Sequence, residues 1–174
     1  MCRRHSRLVA LVLLLSAASA CGRGIDQTKF EAVYRAGQGM KSATDVGVTI
    51  AKYRELLQVF ASEVAMAEAK AANPDEKRMV AKWSEALVNY RDAVTLWVAK
   101  IEHRDPNLPT TTLPEGPALI EKYRLVTLQG EDPAYRTFSV EIAMQTVWQK
   151  AGANIAMANA SYTGHVQSDG QRGG

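Results

Sequence analysis

Cysteine is nearly absent from this chain. Of 174 residues only Cys2 and Cys21 carry a thiol, too few to staple a fold or to hold a zinc or iron–sulfur centre. Histidine is equally scarce, with His5, His103 and His165 the whole set. No Glu-x-x-His pair occurs, so the carboxylate-bridged di-metal site of many helical bundles lacks its ligands. There is no C-x-x-C-H for covalent haem. Met40, Met66, Met144 or Met157 paired with His103 is the remaining route to an axially ligated haem, and methionine as core filler accounts for them better. Neither cofactor nor metal is expected.

Catalytic patterns are missing too. Gly-x-Gly stands at Gly22–Gly24 and Gly37–Gly39, but neither follows a strand, so no phosphate-binding turn is indicated. The serines lie in no nucleophile-elbow context, and the 18 carboxylates mostly fall on polar helix faces. Nothing argues for an enzyme, and no catalytic residue is assigned.

The net charge of +3 tempts a nucleic-acid reading. Arg3, Arg4 and Arg7 account for all of it, and the rest of the chain balances 18 basic against 18 acidic residues. A neutral body offers no general attraction to nucleic acid or anionic lipid.

What is present starts with those arginines. Arg3, Arg4, His5 and Arg7 form a basic opening, and Leu8 to Ala20 is uncharged and rich in Leu, Val and Ala. That run is well short of the ~20 residues that span a bilayer; with small residues after it, it has the pattern of a secretory signal. Ala18-Ser19-Ala20 satisfies the small-x-small rule of ordinary signal peptidase, so plain secretion is one outcome. The same stretch resembles the bacterial lipobox, although Ala18 stands where that motif favours Leu. The resemblance implies cleavage before Cys21, lipid attachment at Cys21 and palmitate-type acylation there. Cys21 has no disulfide partner once Cys2 leaves, and Gly22-Arg23-Gly24 suits a short tether. The chain then divides into a signal peptide at 1–20, a lipidated N-terminus and tether at 21–25, a helical domain at 26–162 and a polar, glycine-rich disordered tail at 163–174.

The body reads as helix throughout. Asp26 is a cap for a first helix, with Ile25 and Phe30 as a hydrophobic staple, and Gly37 to Gly39 predicts its end. Val46, Ile50, Tyr53, Leu57, Phe60, Val64 and Ala67 make a heptad seam and predict a helix over about 44–71. Asn73-Pro74-Asp75-Glu76 opens the next, carrying Met79, Trp83, Leu87, Tyr90, Val94, Trp97 and Ile101 to His103. The short link makes these two an antiparallel hairpin. Four of the six prolines fall between Asp105 and Pro117, predicting a long connection without strand. Ala118 to Leu128 predicts a short helix. Asp132-Pro133 predicts the start of a last one, to about Ser161, with Met144, Trp148, Ala151, Ile155, Ala158 and Tyr162 inward. No window alternates with period two for long. The fold class expected is all-α: an antiparallel bundle of three long and two short helices with one long proline-rich connection.

Five of the six tyrosines precede an arginine: Tyr34, Tyr53, Tyr90, Tyr123 and Tyr135. A boundary motif explains this if the ring packs, the hydroxyl reaches water and the arginine snorkels beside it. The functional reading is a ligand-binding groove for an anionic or glycan ligand, lined by Tyr53, Arg54, Tyr90 and Arg91, with Glu55 and Asp92 turned outward. Arg54 and Arg91 would then approach one another, bridged by Glu31, Glu121 or Glu141 or by a ligand.

The expectation is an exported protein, anchored by lipid to a bacterial cell envelope membrane, with a binding or structural accessory role. Its partners would be membrane lipid through Cys21 and an envelope protein or wall polymer, with no nucleic acid. The alternative is a secreted or tethered small-molecule binder or enzyme with a polar pocket in the bundle.

Overall fold

The computed structural model describes residues 25–129 and 136–164. The expected signal peptide, Cys21, the Asp132-Pro133 start, Tyr135 and all of the tail beyond Gly164 lie outside the described residues.

The protein is an all-α, antiparallel bundle, with five helices and one small sheet among the described residues. Helix α1 spans Gln27–Val46, and the Asp26 carboxylate accepts from the Thr28 N–H at its start. It does not stop at Gly37–Gly39. Gly37 lies on the buried face with Phe30, Val33 and Met40. A Cβ there would stand 2.9 Å from Ile155 Cδ1 and 3.3 Å from Phe60 Cε2, so this glycine serves close helix packing instead of termination. The chain turns at Gly47, whose φ of 107° needs glycine, and Val46 is left 89% exposed instead of joining the next seam.

Helix α2, Ile50–Lys70, is capped by Thr49 and buries Tyr53, Phe60, Val64 and Ala67. After three linking residues α3 runs from Pro74 to His103 behind a capping box: Glu76 N–H donates to the Asn73 side chain and Glu76 reaches back to the Asn73 N–H. Its buried stripe holds Met79, Trp83, Leu87 and Tyr90, then Ala93, Leu96 and Ala99. Ile101, expected inward, is 52% exposed. A helix of 3.6 residues per turn drifts away from a strict heptad line over 30 residues, and α3 packs against both α2 and the last helix.

The proline-rich connection holds a strand where none was expected. Strand β1, Asn107–Pro109, pairs antiparallel with β3, Arg136–Ser139, and β2, Leu128–Gln129, pairs on the other side of β3. Leu108 faces Phe138 across the pair and both are buried, so two apolar side chains suffice to seat it on the core. Pro109 sits on an edge strand, where its missing N–H does little harm. Between β1 and β2 lies α4, Gly116–Tyr123, shorter than expected because Arg124 takes the left-handed conformation at φ 51°. The last helix, α5, is Val140–Thr163, with Ser139 as its cap; residues 136–139, expected helical, are strand. With α1 extended past its glycines, four of the five helices are long.

Trp83, Tyr53, Tyr90, Phe30 and Phe60 are fully buried, while Leu57, Trp97 and Trp148 pack against that core partly exposed. Filling of this kind closes the interior of the bundle.

Candidate functional site

Tyr53 and Tyr90 meet. Their rings cross edge-on with centroids 6.2 Å apart, and the Tyr53 hydroxyl donates to the Tyr90 carbonyl at 2.8 Å. Around Tyr53 stand Trp97 at 5.5 Å and Trp148 at 6.1 Å, and the Trp148 indole N–H donates to the Tyr53 hydroxyl at 3.3 Å. Burial pushes the Tyr53 hydroxyl well above its usual pKa and lifts Tyr90 to about 12. The boundary reading therefore does not describe these two residues, whose hydroxyls are enclosed with their rings.

Arg54 and Arg91 are exposed, and neither has an ion-pair partner among the described residues. Glu31 pairs with Arg35 and Glu141 with Lys100, so neither bridges them. Glu55 lies on the surface beside Lys52. Asp92 does not turn outward. It pairs with Lys122 and accepts from the Tyr123 hydroxyl at 2.6 Å, because α4 lies over that face of α3. Burial, then the Asp92 carboxylate, drives the Tyr123 pKa upward.

Open space lies elsewhere, between α1 and α5. The two helices run antiparallel: the Gln27 side chain donates to the Tyr162 carbonyl, and Tyr34 stacks on Tyr162 at 4.5 Å. Toward the other end, Lys41, Thr44 and Asp45 face Trp148, Gln149 and Gly152 across a groove of about 530 Å³. That volume falls within the ~300–1,000 Å³ of small-ligand sites. Lys41 and Asp45 form an ion pair one helical turn apart. The Thr44 hydroxyl is bonded back to the carbonyls of Lys41 at 2.9 Å and Met40 at 3.2 Å. Behind Thr44 lies the Tyr90 hydroxyl, buried and without a hydrogen bond of normal geometry.

No protein-family model, curated protein or solved structure matches this chain. Among the described residues no group of three His, Cys, Asp or Glu side chains is placed to hold a metal ion. None of the described helices is long and apolar enough to cross a membrane.

Sequence reasoning missed the groove because its walls come from helices about 100 residues apart. One local signal pointed to it. Gly152 interrupts an otherwise good helical pattern with no turn nearby.

Proposed function

We propose that this protein is a bacterial envelope lipoprotein, tethered to the membrane through an acylated Cys21, whose helical body is a binding or structural accessory to an envelope protein or wall polymer. The observation that carries the reading is Ala18-Ser19-Ala20-Cys21, placed directly after a basic opening and the apolar run Leu8 to Ala20. Each buried methylene of an acyl chain contributes about 0.8 kcal/mol, so two or more chains hold a protein where one is marginal. The neutral charge of the body after the signal supports a partner that is not nucleic acid. The alternative, a ligand pocket inside the bundle, has less support, since Trp83, Tyr53, Tyr90 and Phe60 occupy that space.

Intact mass of the protein from the membrane fraction tests the reading. The expected mass is that of a chain starting at Cys21 plus two or three acyl groups, and Cys21→Ser abolishes the addition. A mature protein of unmodified mass overturns it.

A further inference from the structure

We infer that the groove between α1 and α5 binds a neutral, N-acetylated saccharide. The inference deepens the accessory role by naming a class of wall polymer, and it rests on that reading.

Charge comes first. Lys41 and Asp45, the two charged residues of the groove, neutralise each other across one helical turn. A ligand with net charge gains little attraction from a pair that is already neutralised, whereas hydroxyl and amide groups can bond to both partners. Next is the apolar surface. The Trp148 indole N–H is committed to Tyr53, which leaves ring carbons of a half-buried tryptophan to line the groove. Beside it, the exposed Gln149 carboxamide has no hydrogen-bond partner among the described residues. An acetamido group presents the complementary carbonyl and N–H.

The floor of the groove is set by a glycine. Gly152 stands inside α5 with nothing crowding it: a Cβ there would lie 3.8 Å from Lys41 Cε, an ordinary contact. Neither packing nor backbone conformation requires glycine at this position, unlike Gly37, so its effect is an open floor. The groove also lies far from the anchored end. Lys41 to Asp45 stand about 21–27 Å along α1 from Gln27 at 1.5 Å per residue, which suits a polymer held away from the membrane.

The test uses the full-length protein, isotope-labelled and purified in a sugar-free detergent, with the backbone and indole N–H signals followed by NMR. Triacetylchitotriose is the probe, and maltotriose is the matched oligomer without acetamido groups. Saturable shifts at Gln149, Gly152 and the Trp148 indole are expected with triacetylchitotriose, and binding about tenfold weaker with maltotriose. Gly152→Leu should weaken binding about tenfold without lowering Tm, and Gln149→Ala by about threefold. If Gly152→Leu fails to fold, the exposed Gln149→Ala decides alone. Absence of saturable shifts up to about 10 mM, equal response to both sugars, or full binding by the variants overturns the inference. The acyl mass on Cys21 is read on the same sample. Lipid present with no sugar binding overturns the groove assignment and leaves the anchor standing.

Discussion

The hydroxyl of Tyr53 on α2 donates to the backbone carbonyl of Tyr90 on α3 at 2.8 Å, while the Tyr90 hydroxyl, behind Thr44, makes no hydrogen bond of normal geometry among the described residues. The two tyrosines look equivalent along their helices, yet only the Tyr53 hydroxyl makes a well-formed bond. Tyr53→Phe removes that bond and leaves the Trp148 indole N–H without its acceptor, so it should destabilise by about 1–2 kcal/mol. Tyr90→Phe removes only a buried hydroxyl without a well-formed bond and should be near neutral. Urea unfolding of the two variants checks the contrast, and equal losses would contradict it.

Alkaline stability follows from the same pair. Burial raises both phenol pKa values, Tyr90 from 10.0 to about 12. Because the folded values lie above the unfolded ones, the stabilisation is full below pH 10 and is lost as pH rises from there through 12. Ultraviolet titration should therefore show phenolate absorbance from these residues appearing together with unfolding above pH 10, and Tyr53→Phe should carry fewer delayed protons.

Glu76 sets the acid side. It accepts from the Ala72 N–H at 2.8 Å and from Lys29 at 2.9 Å, and these bonds, the Ala72 one foremost, hold its pKa below 4.5. A lowered folded pKa contributes stability that is complete above pH 4.5 and lost as pH falls below it. Glu76→Gln should lower stability by about 1–3 kcal/mol at neutral pH and flatten the acid limb of a Tm-against-pH curve. An unchanged acid limb would show that another carboxylate controls it.

Gly37 and Gly152, each inside a helix, should respond oppositely to alanine. At Gly37 the new methyl meets Ile155 and Phe60 at 2.9 and 3.3 Å, predicting a loss of about 1–3 kcal/mol from overpacking. At Gly152 the methyl meets only Lys41 at 3.8 Å, so the better helix propensity should stabilise by about 0.5–1 kcal/mol. Thermal melts of both variants provide the comparison, and a destabilised Gly152→Ala would mean that the glycine has a packing role.

Caps and seams were legible because their physics is local. Asp26, Thr49, Asn73 and Ser139 each satisfy N–H groups within three residues of themselves. Asp26 and the Asn73 box stand out in the sequence. Thr49 and Ser139 do not, since the apolar runs around them continue on both sides. The Gly37–Gly39 stop misled because glycine ends a helix or admits a neighbour with equal ease, and only the neighbour decides between them. Strand β1 escaped notice for a related reason: three residues carry no period, and Leu108 becomes a core residue only when Phe138, thirty positions away, lies across from it.

The sequence by itself determined a neutral helical body behind a basic and then apolar opening, because charge, apolar spacing and capping are properties of neighbouring residues. Tertiary structure alone decided that the Tyr53 hydroxyl makes a well-formed bond while that of Tyr90 does not, that Asp92 turns to Tyr123, and that Lys41 and Thr44 face Trp148 and Gly152 across open space. Each of these depends on which helices lie side by side, and helix pairing is settled by burying all the apolar stripes at once, a condition that no single stripe contains.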